Sequence, residues 1–429
     1  MTGKRTGKQK YHRCLVWVFW ISTVFTIGFT WYQMDHRIPD KLNVVMNEEE
    51  VFDFGLPIDV TLLSDSEEVV LGNKSNIPAQ EIRMSLSEPF SLQGKSRGSY
   101  RVGLKLFGAI QFKEIEVNVV DTQYAVPCGV PVGIYLKSNG VMVIGTGRLT
   151  GADGQEAEPA YGVLQSGDYI EAINGAPLQD KEALITSLKS IGGSEALLRI
   201  RRNGEEMEVR MNPLKTEDGN YKLGAWVRDD TQGIGTLTYL DANGNFGALG
   251  HGISDSDTGK VVEIENGALY ETEILGVEKG SVGNPGVMAG VIYYGPGSKL
   301  GDIRQNTEEG IFGSVDEKLR QQLTGEPLPI GYRQEVKKGQ AWIRSSVSGE
   351  VKDYEIEIQK VDYNPVHQNK GMVIQVVDPK LLELTGGIVQ GMSGSPIIQD
   401  GKLIGAVTHV FVQDSTRGYG IFIETMLEH

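Results

Sequence analysis

The chain has 429 residues and an acidic composition, with 56 Asp and Glu against 41 Lys and Arg, which gives a formal net charge of −15 at pH 7. This length suffices for roughly two or three domains of ordinary size. The charge argues against nucleic acid as a partner, because binding phosphates needs clustered Lys and Arg, and no such cluster follows the N-terminal segment. The patterns H-E-x-x-H, C-x-x-C and G-x-x-x-x-G-K-[ST] are absent, so the sequence predicts neither a metal site nor a cofactor.

The N-terminus is basic over residues 1–13 and strongly apolar over residues 14–32. The apolar run approaches the roughly 20 residues that cross a bilayer as a helix, and Trp and Tyr at its two ends are typical of membrane interfaces. The positive-inside rule then predicts a cytoplasmic N-terminus and an extracytoplasmic remainder. A cleaved signal peptide is the alternative, but the run is long and aromatic, and no small-residue cleavage site follows it. We therefore predict a retained, single-pass transmembrane anchor.

The next two segments carry few functional signals. Residues 33–60 are polar and include an acidic run, which favours a tether between the anchor and the folded part. Residues 61–120 contain short alternating runs, such as that of residues 99–107, which predict a small β domain. Nothing in these segments points to a chemical function.

Residues 121–213 contain a module signature. Residues 164–175 read Leu-Gln-Ser-Gly-Asp-Tyr-Ile-Glu-Ala-Ile-Asn-Gly, which resembles the L-x-x-G-D-x-I-x-x-I-N-G pattern of bacterial PDZ domains. A helix predicted over 180–191 and a strand over 196–202 follow in the order that such domains use. The resemblance implies a groove that binds peptide tails by adding a strand to a sheet edge. The carboxylate-binding loop of this groove is expected at Gly133, Ile134, Tyr135 and Leu136, with an ordinary buried hairpin as the alternative.

Residues 223–429 are rich in glycine and in short β-type runs, which predict a mostly antiparallel, barrel-like domain. Residues 391–396 read Gly-Met-Ser-Gly-Ser-Pro, the G-x-S-G-x-P form that carries the nucleophile of chymotrypsin-like peptidases. The glycines let the chain turn tightly, so that the Ser393 hydroxyl stands clear while the N–H groups of Gly391 and Ser393 converge on an oxyanion. Ser395 is the second choice of nucleophile. The alternative is a glycine-rich turn whose serines cap main-chain groups.

A serine hydroxyl needs a general base, and histidine is the usual one. Three histidines remain once those near the termini are set aside. His251 ranks first, because glycines on both sides suit a ring held at the end of a strand and open to a cleft. His409 lies in an alternating run that is typical of a sheet residue, and His367 lies in a polar loop.

The third member of a catalytic triad should be a carboxylate that fixes the histidine tautomer. Asp378 ends a predicted strand and gives the chain order His, Asp, Ser of chymotrypsin-like peptidases, although only a short stretch separates it from Ser393. Asp362 and Asp353 are the alternatives. The sequence therefore predicts a mainly β serine peptidase with His251 as base, Ser393 as nucleophile and Asp378 first among three candidate acids.

The motifs taken together resemble one family. The anchor, the PDZ-like module, and the runs Ala-Leu-Gly-His-Gly-Ile-Ser-Asp at 248–255 and Gln-Gly-Met-Ser-Gly-Ser-Pro-Ile-Ile at 390–398 are similar to those of the SpoIVB family of sporulation serine peptidases. The resemblance implies that the catalytic His, Asp and Ser of the family fall on His251, Asp378 and Ser393.

The same resemblance implies a membrane-anchored signalling endopeptidase of sporulation. Its place would be the forespore inner membrane, with the catalytic domain extracytoplasmic in the intermembrane space. Members of the family cleave themselves and cut a membrane protein of an intramembrane-protease complex, which triggers activation of sigma-K. The implied partners are this protein substrate, peptide tails held by the PDZ domain, and the membrane. The alternative from another class is a non-catalytic, membrane-tethered PDZ scaffold that binds envelope partners.

Overall fold

The computed structural model describes residues 7–429 except 53–54, 57–58, 65–68, 72–81, 88, 95, 107–108, 296 and 324. The chain divides into two compact units. The first comprises Met1–Gln123, Gly331–Lys337 and Val361–His367, and the second comprises Tyr124–Ile330, Lys338–Lys360 and Gln368–His429. The chain is mainly β, with one long apolar helix at its N-terminus, which confirms the predicted fold class at this level.

The first unit contains this helix and two small sheets. Its elements are α1 (Gly7–Arg37), β1 (Lys41–Val45), β2 (Glu49–Phe52), β3 (Asp59–Ser64), β4 (Val69–Leu71), β5 (Ile82–Ser85), β6 (Phe90–Gly94), β7 (Gly98–Leu106) and β8 (Ile110–Val120). β1, β8, β7, β3 and β5 form one sheet in that order, and β2, β6 and β4 form the other. Alternate side chains of β7 and β8, among them Val102, Leu104, Ile115 and Val117, are buried and fill the core. Residues 41–52, predicted as part of a tether, instead form β1 and β2.

The helix α1 is long and apolar enough to cross a membrane over Tyr11–Arg37, with a mean hydropathy of 1.7, and its most apolar part is exposed. By length and composition it is a candidate membrane anchor, and a signal sequence has the same character. Its C-terminal end is built into the first unit. Met34 and Ile38 are buried in the core, and Lys113 Nζ donates to the carbonyl oxygens of Asp35 (2.9 Å) and Ile38 (2.7 Å).

The second unit carries the remaining strands and most of the remaining helical turns. Its elements are β9 (Tyr124–Thr146), β10 (Leu149–Thr150), β11 (Glu156–Ala157), β12 (Tyr169–Ile173), β13 (Ala176–Pro177), α2 (Lys181–Ile191), β14 (Ala196–Arg202), β15 (Glu205–Met211), β16 (Leu214–Lys215), β17 (Tyr221–Lys222), β18 (Ala225–Leu240), β19 (Asn245–Ala248), β20 (Ile264–Tyr270), β21 (Thr272–Glu278), β22 (Val287–Ile292), β23 (Lys299–Thr307), β24 (Gly310–Val315), α3 (Glu317–Gln322), β25 (Leu328–Pro329), β26 (Gly339–Ser345), β27 (Lys352–Val361), β28 (Met372–Val376), α4 (Pro379–Thr385), β29 (Pro396–Gln399), β30 (Lys402–Phe411), β31 (Asp414–Phe422) and α5 (Ile423–Met426). Short 3₁₀ turns lie at Arg333–Glu335, in the first unit, and at Gln368–Lys370.

Two closed β-barrels make up most of the second unit. The first barrel runs β9, β18, β19, β24, β23 and β20, and the pairing of β20 with β9 closes it. The second barrel runs β26, β27, β28, β31, β30 and β29 and is also closed. Inward-facing aliphatic side chains fill both interiors, such as Val132 and Leu136 in the first barrel and Ile356 and Ile397 in the second. The barrel-like architecture predicted for the C-terminal part is confirmed.

The PDZ-like segment is an insertion into the first barrel. β9 and β18 pair along nearly their whole length, and beyond the barrel they continue into a smaller sheet with β12, β14 and β15. Leu184 and Leu188 of α2 share a core with residues of this sheet. The helix predicted over 180–191 runs Lys181–Ile191, and Asp180 caps it by accepting from Ala183 N. The barrel therefore begins at β9, upstream of the predicted boundary at residue 223.

Candidate active site

The turn that carries Ser393 lies between α4 and β29 and is clamped by the first barrel. Thr236 of β18 holds the turn at two points. The Oγ1 of Thr236 donates to the Gly391 carbonyl oxygen (2.7 Å), and the N–H of Thr236 donates to the Ser393 carbonyl oxygen (3.1 Å). Gly394 N donates to the Val407 carbonyl oxygen (2.7 Å). Gly394 has a φ of 93°, and an added Cβ would collide with the Thr236 carbonyl oxygen, so this position requires glycine.

The predicted oxyanion donors are available on this turn. Among the residues that the structure describes, the main-chain N–H groups of Gly391 and Ser393 donate to no acceptor. Both residues line one cavity, and Gly391 has the left-handed φ of 101° that a side chain would disfavour. Unused N–H groups on a fixed turn beside a hydroxyl suit the stabilisation of a developing negative charge. Their role as oxyanion donors stays a prediction.

The Ser393 hydroxyl rests on a main-chain acceptor. Its Oγ donates to the Thr408 carbonyl oxygen at 2.6 Å. Thr408 is buried in β30, and its own Oγ1 donates to the Asn369 carbonyl oxygen at 2.8 Å. Reaction at Ser393 therefore requires its Oγ–H to rotate away from Thr408 toward a base.

His251 follows β19 on a turn that leaves no room for side chains on either side. An added Cβ at Gly250 would lie 2.9 Å from Ile421 Cγ2, and one at Gly252 would collide with the Thr307 carbonyl oxygen. His251 Nδ1 lies 2.9 Å from the Gly252 carbonyl oxygen, which can only accept, so Nδ1 carries the proton and Nε2 is left as the basic nitrogen.

The electrostatic setting keeps this imidazole neutral. Burial lowers the pKa of His251, and the hydrogen bond to Gly252 offsets only part of that effect. A neutral imidazole at neutral pH is the form that a general base needs.

A second histidine that sequence reasoning ranked lower joins the site. The ring centroids of His251 and His409 are 4.6 Å apart, with 33° between the ring planes, and both residues line the same cavity. Burial, then the charges of His251 and Lys370, lower the pKa of His409 to about 4. Residue 409 is exposed as a whole, so water screens part of this effect. Both rings are thus neutral at pH 7.

Asp378 lies elsewhere and has a different contact set. Its Oδ1 accepts from Lys380 N (2.8 Å) and Leu381 N (2.9 Å), and its Oδ2 accepts from Glu355 N (3.4 Å). The residue is the N-cap of α4, which has proline at its first turn. In the part of the chain that the structure describes, no contact joins this carboxylate to His251, so the predicted triad is not assembled and the role of Asp378 stays a prediction.

The two alternative acids are also engaged. Asp353 forms a two-point ion pair with Arg344, with distances of 2.7 and 2.9 Å. Asp362 lies in the first unit and accepts from Asn364 N at 3.3 Å. In the part of the chain that the structure describes, no contact connects Asp353 to a histidine, and a catalytic role for either carboxylate stays a prediction.

The cavity beside Ser393 and His251 has a volume of about 550 Å³. Its wall is largely aliphatic, with Ile388, Val389 and Val410 among its residues, and none of the residues that line it carries a carboxylate, an ammonium or a guanidinium. Across the described residues, no group of three or more His, Cys, Asp or Glu is placed to hold a metal ion. The site can therefore receive an uncharged side chain beside a serine and a neutral imidazole.

Two further predictions need correction. Gly133, Ile134, Tyr135 and Leu136, the predicted carboxylate-binding loop, lie within β9, and both edges of this strand segment are paired, with β18 and with β20. Their main-chain groups face neighbouring strands, so they cannot bind a peptide end. Ser395, the second choice of nucleophile, is completely buried, and its hydroxyl has no hydrogen-bond partner.

The turns of Ser393 and His251 come from two different β-barrels and line one cavity, which is the arrangement that a serine peptidase needs. The sequence comparison agrees, because residues 219–427 match the family model described as SpoIVB peptidase S55. This match covers just under half of the chain, and it confirms the predicted family and enzyme class. The matched segment begins just before β18 and contains the whole second barrel.

Other similar proteins overlap the chain in part. A protein of Lactococcus lactis subsp. lactis (strain IL1403) that is named as a zinc metalloprotease, LL2128, is 35% identical over 83 residues, which are 19% of this chain and 19% of that protein. The chain thus matches about a fifth of the length of that curated relative.

Two solved structures are similar at low identity. The active form of the Rv3671c protease from M. tuberculosis is 16% identical, covers 46% of this chain and 72% of its own, and has a TM-score of 0.26. The structure of the HtrA-type protease AlgW with decapeptide is 10% identical and has a TM-score of 0.29; the match covers 70% of this chain and 63% of that chain. These TM-scores are too low to carry an argument about this chain.

Proposed function

We propose that the chain is an endopeptidase in which Ser393 is the nucleophile and His251 the general base. The observation that carries the proposal is that these two residues, each held by a different barrel, line one cavity. The geometry of both turns is over-determined by glycines and hydrogen bonds, which is how fixed catalytic groups are built.

The reaction is acyl transfer to serine. His251 Nε2 takes the proton as Ser393 Oγ leaves the Thr408 carbonyl oxygen and attacks the peptide carbonyl carbon. The new oxyanion accepts from the N–H groups of Gly391 and Ser393. The imidazolium then returns its proton to the leaving amine, the peptide C–N bond breaks, and water releases the acyl group by the same route.

Asp378 enters the proposal through the family resemblance, as the residue that orients His251. In this structure the Nδ1 proton of His251 is directed by the Gly252 carbonyl oxygen, and Asp378 caps α4. The variant Asp378→Asn separates the two roles. Asn is as good an N-cap as Asp, so a pure capping role leaves activity within a few-fold. A triad role costs about 10⁴ in kcat, because Asn imposes the wrong tautomer.

The cavity wall supports a preference for aliphatic side chains at the substrate position before the scissile bond. Val410 and Ile388 flank the nucleophile turn, and an ionised side chain would be desolvated there without a partner. We expect a peptide library to show cleavage after uncharged, branched residues. Val410→Asp should shift this preference toward Lys and Arg, and an unchanged profile in the variant would contradict the assignment of this wall.

The anchored location is supported by the way α1 joins the first unit. Near the end of α1, Trp31 packs against Phe112 and Met34 is buried in the core of the first unit, so a cut that removed the helix through Met34 would remove part of a folded core. We infer a single-pass protein of the forespore inner membrane, with the peptidase in the intermembrane space. Its role in sporulation is to cleave itself and a membrane protein of an intramembrane-protease complex, upstream of sigma-K.

A second candidate function, peptide binding by the inserted module, is supported by a groove of about 370 Å³ beside α2. Leu184, Ile185 and Leu188 of α2 form one wall, and the start of β18 forms the other. Gly224, which lines the groove with a φ of 75° directly before β18, is our candidate for the start of the carboxylate-binding loop. This groove replaces the one predicted at Gly133–Leu136.

The test of the peptidase function is covalent labelling. The purified chain is treated with a serine-directed phosphonate, and the modified residue is identified by mass spectrometry. We expect a single label on Ser393 and loss of cleavage in proportion to labelling. A chain that binds peptides, takes up no label and cleaves nothing would instead be the non-catalytic scaffold.

A further inference from the structure

The β7–β8 hairpin of the first unit has an exposed isoleucine where β8 begins. β7 ends at Leu106 and β8 begins at Ile110, and Ala109 N donates to the Leu106 carbonyl oxygen (3.1 Å). Ile110 is 53% exposed, although most aliphatic residues of the same two strands are buried. An exposed isoleucine at the end of a hairpin has a cost in water that burial against an apolar partner would remove.

Two contacts place this hairpin along α1. Lys113 is almost fully buried, and its ammonium group pairs with Asp35 (3.3 Å) and Asp40 (2.6 Å), near the end of the helix. The neighbouring Phe112 packs edge-on against Trp31, with ring centroids 4.9 Å apart and 82° between the rings. Phe112 therefore contacts α1 nearer to its apolar part than Lys113 does.

The end of the hairpin lies further in the same direction. Ile110 is two residues beyond Phe112, which is about 7 Å of extended strand. Trp31 stands at the end of the apolar run, where Trp and Tyr rings mark the boundary between headgroups and acyl chains. Ile110 therefore reaches the level of this boundary or deeper.

We propose that the end of the β7–β8 hairpin inserts Ile110 into the interfacial layer of the same bilayer that α1 spans. The proposal rests on α1 being a retained anchor. The charged side chains nearest to Ile110 are Lys105 on β7 and Lys113 on β8. Lys113 is neutralised by two carboxylates, and a lysine at the interfacial level can keep its ammonium group among the headgroups. With the helix as its single membrane contact, the first unit can rotate about the membrane normal. A second contact fixes which face of the unit meets the membrane.

The test uses the full chain in nanodiscs of phosphatidylcholine and phosphatidylglycerol. An environment-sensitive NBD label is attached at Ile110→Cys in a Cys14→Ser background, because Cys128 is buried and will not react. The matched control is Val51→Cys, an apolar position of the same unit that is 69% exposed on the other sheet. We expect blue-shifted emission at position 110 and quenching by lipids brominated near the headgroup, with water-like, unquenched emission at position 51.

Sequencing the N-terminus of the same sample separates the possible failures. An intact α1 together with water-like, unquenched emission at position 110 would overturn the hairpin contact alone. Loss of α1 from the sample would overturn the anchor and the contact together. Blue-shifted emission without quenching by brominated lipid would mean that the label is buried in protein, which also contradicts the proposal.

Discussion

The two barrels of the second unit hold their catalytic turns by different means. In the first barrel, the His251 turn is set by close packing, since Gly250 and Gly252 lie against atoms that leave no space for a side chain. In the second barrel, the Ser393 turn is set by hydrogen bonds, and two of them come from Thr236 of the first barrel. The first barrel is also interrupted by an inserted module, whereas the second barrel is interrupted by the short segment Val361–His367, which belongs to the first unit.

This difference shows which contacts set the alignment of Ser393 with His251. Neither barrel contains both reacting groups, so their alignment depends on the contacts that join the barrels. Thr236 supplies the polar part of this joint, and Gly394 supplies the steric part by its close approach to Thr236 and Leu249. Variants of the residues that join the barrels should therefore have a measurable effect, whereas variants of nearby residues that do not make these contacts should not.

The largest effect is expected from the nucleophile. Ser393→Ala should lower kcat by about 10⁴-fold or more, because the oxyanion donors and binding alone supply only the residual rate. The matched control is Ser395→Ala, which removes a buried hydroxyl that has no partner and should leave kcat unchanged while stability stays the same or rises. Steady-state cleavage of a fluorogenic peptide measures both. The reverse ranking of the two serines would disprove the assignment.

The steric joint should give the next effect, on stability. Gly394→Ala places a Cβ 2.5 Å from Leu249 N at a left-handed φ, and we expect it to lower the free energy of unfolding by roughly 3 kcal/mol or more. Gly276→Ala is the control, because an added Cβ there meets nothing within 4 Å, and its effect should stay within about 0.5 kcal/mol. Urea unfolding monitored by circular dichroism provides the measurement, and equal midpoints for the two variants would show that the joint is not sterically tight.

The polar joint should give a smaller, kinetic effect. Thr236→Val removes the hydrogen bond to the Gly391 carbonyl oxygen and should lower kcat roughly 10- to 100-fold with little change in KM, because the nucleophile turn loosens. Thr238→Val is a matched control on the same strand, since its buried hydroxyl has no partner. We expect that control to keep full activity. A loss in Thr238→Val equal to that in Thr236→Val would assign the effect to the strand and not to the hydrogen bond.

Local patterns selected Ser393 and His251, which the structure brings to one cavity, because glycine spacing carries the information. The glycines beside His251 and around Ser393 are required by contacts within a few ångströms of those residues. The start of α2 was likewise predictable, because its N-cap Asp180 is a local signal. Thr236 gave no such signal, because its partner Gly391 is 155 positions away in sequence. His409 could have been found by elimination, as one of three internal histidines.

The errors have a common physical origin. A strand's own sequence does not state which strands pair with it. The sequence therefore places all of β9 in the PDZ-like module and a carboxylate-binding loop at Gly133–Leu136, which the two paired edges of β9 exclude. Asp378 is the opposite case, because its local sequence does indicate the role that the structure shows. Its Asp-Pro sequence is a good helix start, and the local capping role is the one that the structure shows.

The smallest expected effect concerns the pH dependence of the base. Burial lowers the pKa of His251 below the ordinary value of about 6.5, so the neutral base persists, and kcat/KM should hold, to a pH below 6.5 before it falls on acidification. Burial, then the charge of His251, lowers the pKa of His409 to about 4, so His409 is uncharged in the pH range just below 6.5. His409→Asn should therefore leave the acid limb of the profile in place. A limb that moves in this variant would show that the two imidazoles titrate as a coupled pair, and that His409 shares the work of the base.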